Sequence, residues 1–260
     1  MTSAPIENTR ILLFTAALVA SVLAAYSLRS ARVGRISSSR LDTLPGTPLL
    51  GRFPIEAFYW VAGGAGRALS RIGVSPDALT LASLVLTAFT LPLVATGRFE
   101  AAGIVLFLGS AFDMLDGIVA RERGMASQAG EILDSVLDRY ADAFCLLGLA
   151  LFYRHSAWQL GTVLLALTGS MMVSYVRAKA EKFELTLPAT TMRRAERVVY
   201  LAAGLVFGPA LSSWIAPSDP TRPVTLAVVG LVGVVSNVAA LRLLFAARAE
   251  LRRRAAPPSR

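Results

Sequence analysis

The 260-residue chain holds one cysteine and one histidine, and these shortages remove whole classes of chemistry. Cys145 has no partner for an intrachain disulfide, and its place inside an apolar run marks it as a small buried hydrophobe. No cluster of His and Cys exists to hold zinc. Charge is scarce as well. With 17% charged residues, 55% hydrophobic residues and a mean hydropathy of +0.59, the chain is too apolar for an ordinary soluble domain of its length. Its net charge of +9 could suggest a nucleic-acid partner. Membrane proteins, however, gather Lys and Arg on one side for topological reasons alone, so no nucleic acid is expected.

What the sequence does have is apolar runs of membrane-spanning length, roughly 20 residues each. They lie near Ile11 to Leu28, Ala78 to Thr96, Ala101 to Val119, Ile132 to Phe152, Trp158 to Val176, Val198 to Trp214 and Pro223 to Leu244. Ser30 to Arg52, rich in Ser, Gly, Pro and Arg, reads as a linker between the first run and the rest. Phe53 to Ile72 mixes Phe58, Trp60, Leu69 and Ile72 with Arg67 and Arg71, the pattern of an amphipathic helix lying in the interface or of a short loop helix. The expected fold is therefore all-α and integral to the membrane. It comprises a six-helix transmembrane core, an interfacial amphipathic helix and one extra N-terminal transmembrane helix.

Seven spans with the N-terminus outside place 22 of the 26 basic residues on one side, leaving only Arg10, Arg98, Arg154 and Arg222 on the other. The richer side is expected to be cytoplasmic. The first run has a rival reading as a cleaved secretory signal. Its strongly basic flank follows the run rather than preceding it, so it is expected to remain as a span. The chain divides into an accessory helix and basic linker (1–52), a membrane domain (53–248) and a basic cytoplasmic tail (249–260).

Between the third and fourth runs the chain reads FDMLDGIVARERGMASQAGEILDSVLDRY, from Phe112 to Tyr140. Asp113 and Asp116 are three apart at the end of one apolar helix, and Asp134 and Asp138 are four apart at the start of the next, so each pair shares a helix face. Four acids at a membrane helix are expensive and require a compensating charge. Oxygen ligands alone suit Mg²⁺ or Mn²⁺, and carboxylate sites with open positions bind phosphate-bearing substrates. The plainer reading is a salt-bridge cluster with Arg121, Arg123 and Arg139. That reading leaves unexplained why Gly117 and Gly130 strip side-chain bulk from the same helices.

Asp113, Asp116, Gly117, Ala120, Arg121, Gly130, Asp134 and Asp138 fill the signature D-x2-D-G-x2-A-R-x8-G-x3-D-x3-D, and on them the chain resembles the CDP-alcohol phosphatidyltransferases. The resemblance implies transfer of a phosphatidyl group from CDP-diacylglycerol to a polar alcohol with release of CMP. It implies that Asp113, Asp116, Asp134 and Asp138 hold Mg²⁺ or Mn²⁺, that Asp138 is also the general base, and that Gly117 and Arg121 contact the CDP moiety. Asp77 and Thr80, opening the preceding span, and Ser127 match further donor contacts, although Asp77 after Pro76 also reads as an ordinary helix start. A homodimer in the cell (inner) membrane, in contact with its lipids and with a cytoplasmic active site, is the implied setting.

SYVRAKAE, from Ser174, and AERVV, from Ala195, are similar to motifs of the actinobacterial phosphatidylinositol-phosphate synthases. That likeness implies that Arg177, Arg197 and Arg242 bind the phosphate of inositol 1-phosphate. Position 177 departs from the pattern, where Lys is usual, and so does the extra N-terminal span. Three readings compete: this acceptor, the same chemistry with glycerol 3-phosphate or serine, and a non-enzymatic scaffold or transporter. The basic residues also fit topology alone.

Overall fold

The computed structural model describes residues 4–35, 51–125 and 127–255. Eight helices fill the described residues: α1 (Ala4–Val33), α2 (Arg52–Arg71), α3 (Pro76–Ala95), α4 (Phe99–Glu122), α5 (Gln128–Phe152), α6 (Ala157–Lys182), α7 (Arg194–Ile215) and α8 (Pro223–Ala255). The seven expected spans correspond to α1 and α3 to α8, and the expected amphipathic helix to α2. Six of the eight are long and apolar enough to cross a membrane. The span that fails this test is α5, because Glu131, Asp134, Asp138, Arg139 and Asp142 crowd its first half. The chain is a multi-pass membrane protein.

Local chemistry fixes the helix starts nearest the acidic segment. Ser75 caps α3, its hydroxyl accepting from the Ala78 amide at 3.3 Å, with Pro76 in the first turn. Ser127 caps α5 in the same way, accepting from the Gly130 amide at 3.1 Å. Both caps lie at the same end of the bundle and aim the first turns of their helices at the end of α4.

In a membrane, close backbone approach replaces the hydrophobic drive that packs soluble helices, and small residues make that approach. A side chain on Gly169 of α6 would put its Cβ 2.8 Å from the Ser236 Cβ of α8. Alongside, the Asn237 amide of α8 donates to the Leu165 carbonyl of α6 at 2.8 Å. Thr225 of α8 donates to the Gly204 carbonyl of α7, also at 2.8 Å. The largest core cluster, which includes Val94, Leu106, Leu146, Val163, Leu205 and Val229, joins α3 to α8.

Two boundaries differ from the sequence expectation. Helix α1 continues through Ser30 to Val33, into the segment read as linker, and α8 continues to Ala255, into the basic tail. Residues 36–50 of the linker and 256–260 of the tail lie outside the described residues. Hydropathy marks where a helix leaves the bilayer, whereas the backbone continues helical until capping ends it. At the tail, Arg254 donates to the carbonyls of Phe183 and Glu184, just past the end of α6, and so ties the α8 extension to its neighbour.

Helix α2 buries Glu56, Ala57, Ala62 and Gly66 while Arg67 and Arg71 stay exposed, the two-faced pattern expected of it. Near its start Tyr26 of α1 donates to the buried Glu56 carboxylate at 3.0 Å and packs against the Phe53 and Trp60 rings. Near its end Gly66 lies against Ile118, beside the acidic end of α4.

Candidate active site

The four signature aspartates come from two antiparallel helices whose charged ends meet. Asp113 and Asp116 occupy the last third of α4, while Asp134 and Asp138 occupy the first half of α5. Oxygens of Asp113, Asp116 and Asp134 lie within 4.8 Å of one another, a spacing at which a divalent cation can hold all three. Asp116 is buried, and its Oδ2 accepts a 2.5 Å hydrogen bond from the Thr80 hydroxyl of α3. That bond orients one carboxylate of the trio, as partners of metal ligands do.

Asp138 stands outside this trio. Its Oδ1 lies 2.8 Å from Nη1 of Arg194, and the same nitrogen contacts Asp113 Oδ2. Arg194 opens α7, and its Nε reaches Asp142 Oδ1 at 3.3 Å. The other Asp142 oxygen pairs at 2.5 Å with Arg197, itself only 2% exposed. Arg197 also donates to the Met192 carbonyl at 2.9 Å and to Ser174 Oγ of α6 at 3.4 Å. The SYVRAKAE and AERVV motifs therefore meet at the acidic site.

Neither Asp142 nor Arg194 stands out in the sequence analysis, yet both carried a signal. Asp134, Asp138 and Asp142 form an unbroken series at intervals of four along one face of α5. Arg194 precedes Arg197 by three, one turn away on the same face of α7.

Arg177 of α6 reaches the same end of the bundle, with its Nε and Nη2 buried and without a hydrogen-bond partner among the described residues. Arg193 stands close enough to repel it. Arg242 is exposed on α8, and no contact places it with this group. Asp77 is exposed in the first turn of α3, where Ser75 rather than Asp77 is the cap. Ser127 has a structural duty as the α5 cap. A Cβ on Gly117 would stand 3.3 Å from the Arg121 guanidinium, so the glycine leaves room for that side chain to fold back over α4.

Of the three arginines weighed as salt-bridge partners of the acids, two are engaged with other groups. Arg123 donates to the Gly73 and Val74 carbonyls at 3.1 and 3.0 Å, and Arg139 turns back onto Ser135 of its own helix.

Fold and site together define a multi-pass membrane protein with a carboxylate cluster and a basic flank at one end of its bundle, an arrangement suited to a divalent cation and phosphate-bearing substrates. Residues 73–238 match the family model of the CDP-alcohol phosphatidyltransferases, and the chain belongs to that family. It is 34% identical to the phosphatidylinositol phosphate synthase of Mycobacteroides abscessus, over 72% of this chain and 86% of that protein. Its identity to the archaetidylinositol phosphate synthase of Pyrococcus horikoshii is also 34%, over 58% and 83% respectively. The crystal structure of Mycobacterium tuberculosis phosphatidylinositol phosphate synthase with CDP-DAG bound superposes with a TM-score of 0.61 at 28% identity, covering 72% of this chain and 93% of that one. The same enzyme in complex with manganese and citrate gives 0.63 at 27%, covering 72% and 88%. The chain is thus a phosphatidyltransferase, and its carboxylate trio has the spacing to hold a divalent cation.

Proposed function

We propose that this enzyme transfers the phosphatidyl group of CDP-diacylglycerol to inositol 1-phosphate, releasing CMP. The observation that carries the acceptor assignment is Arg177, whose Nε and Nη2 are buried without a hydrogen-bond partner among the described residues. Two buried guanidinium donors left unmet are costly, and a phosphate monoester would satisfy both bidentately. Arg197, fixed by Asp142 one helix away, supplies a second guanidinium on the same side. The names of the relatives support the same acceptor.

Asp113, Asp116 and Asp134 hold Mg²⁺ or Mn²⁺ in this reading, with Asp138 sharing a metal. A cation held there would neutralise the charge of the pyrophosphate and so favour departure of CMP. Asp138 takes the proton from the acceptor hydroxyl as its oxygen attacks the β-phosphorus. The new P–O bond forms as the bond from that phosphorus to CMP breaks. Gly117 and Arg121 border the CDP moiety on the α4 side, with Asp77, Thr80 and Ser127 nearer the loops, and Thr80 acts through Asp116. The catalytic unit is the 53–248 domain, which contains the whole family match.

Arg177→Ala is expected to raise the KM for inositol 1-phosphate by about 10- to 100-fold, the weight of a charge-assisted contact to phosphate, with the KM for CDP-diacylglycerol within about twofold of wild type. Steady-state release of CMP in mixed micelles reads both constants. Equal changes in the two would assign Arg177 to topology. In the same assay, a preference for free inositol or serine would overturn the phosphate reading. A preference for glycerol 3-phosphate would replace the inositol acceptor.

The site is further proposed to face the cytoplasm of the cell membrane, on the strength of the 22-to-4 division of basic residues. Single cysteines introduced in a Cys145→Ser background should label from inside at position 125 and from outside at position 218. Reversed labelling would invert the topology.

A further inference from the structure

Arg194 holds a position that the transfer chemistry above leaves without a role. A single guanidinium nitrogen bridges Asp113 of α4 and Asp138 of α5, while the Nε of the same fork reaches Asp142. Asp113 is at once a partner of Arg194 and a member of the carboxylate trio. The positive charge on Arg194 and any divalent cation held by that trio therefore draw on the same carboxylate. Two effects follow from Coulomb's law. Without a cation the arginine relieves the repulsion between Asp113 and Asp138, and with one bound it repels the ion across a short distance in a poorly screened site.

We propose that Arg194 is a positioning residue that sets how tightly the site holds its divalent cation, standing between Asp113 and Asp138 as a resident counter-charge that weakens and regulates metal binding. Asp142 anchors the far edge of the fork, so Arg194 is held in place whether or not an ion is present. Arg197, on the opposite oxygen of Asp142, keeps that anchor itself fixed. The inference rests on the metal reading of the trio and adds to it a residue outside the signature.

Mn²⁺ binding, followed by electron paramagnetic resonance on the full chain in nanodiscs without either substrate, tests it. Arg194→Gln removes the charge and keeps much of the side-chain volume, and it is expected to bind Mn²⁺ at least about tenfold more tightly than wild type. Arg194→Lys keeps the charge but loses the fork, cannot span three carboxylates, and is expected to bind Mn²⁺ about threefold more tightly. The melting temperature of metal-free Arg194→Gln should fall, and saturating Mn²⁺ should raise it by more than it raises that of wild type. Should the Gln variant fail to fold, the Lys variant alone decides. Affinity unchanged or weakened in a folded variant would reduce Arg194 to a staple between helices and overturn the proposal. Failure of the wild-type chain to bind Mn²⁺ would instead strike the metal reading itself.

Discussion

Asp138→Asn is expected to lower turnover by roughly 10²- to 10⁴-fold, the range lost when a positioned general base is removed, while CDP-diacylglycerol still binds. The expectation rests on geometry. Asp138 lies outside the trio that can close on one cation, and Arg194 aims its carboxylate from across the site. Asparagine keeps the shape of the side chain and a hydrogen-bonding oxygen but cannot accept the acceptor's proton. Donor affinity, read by competition with a fluorescent CDP-lipid, should change by less than about fivefold, because the substitution leaves Asp113, Asp116 and Asp134 intact. Near-normal turnover would remove Asp138 from the role of base.

Asp113→Asn should have an effect of similar size by a different route. Asp113 is the one carboxylate that belongs both to the trio and to the Arg194 bridge. Its loss removes a ligand charge and leaves the Arg194 cation facing the centre with one fewer anion to balance it. Divalent-cation affinity is expected to fall by at least about a hundredfold, and the KM of the CDP-lipid should rise with it, because metal and pyrophosphate bind as a unit. Titration of activity with Mn²⁺ checks this directly. A normal metal dependence with reduced turnover would move Asp113 from ligand to structural partner. The two variants are thus told apart by metal dependence rather than by residual rate.

The hydropathy of the sequence located α1 and α3 to α8, six of which are long and apolar enough to cross a membrane, because length and apolar content are what a bilayer demands of a helix. It misjudged where α1 and α8 end, since polar residues beyond the bilayer continue a helix without any hydropathy signal. The aspartates were legible because their spacing is a property of helix geometry alone. Arg194 and Asp142 were not, because the signature stops at Asp138 and the basic residues after α6 were already accounted for by topology. Thr80 was read as a contact to the CDP-lipid, and the bond its hydroxyl makes to Asp116 was not foreseen. Only the packing of α3 against α4 brings the two together, and no spacing of 36 residues announces that. Arg242, by contrast, is exposed on α8, and no contact among the described residues ties it to the group.

The charged first half of α5 has a consequence for how the protein comes to reside in its membrane. Only the stretch from Ala143 to Phe152 of that helix is free of charge, about half the length needed to cross the hydrocarbon unaided. Its place depends on company. Gly148 lies so close to α3 that a Cβ there would stand 2.7 Å from the Leu91 carbonyl, and the α5 carboxylates are matched by arginines of α7, a helix translated some fifty residues later. A nascent chain that has made α5 but not yet α7 therefore carries acids without their counter-ions at the bilayer surface. The assembly of the charged centre and the settling of α5 into the bundle are consequently one event, finished when α7 arrives.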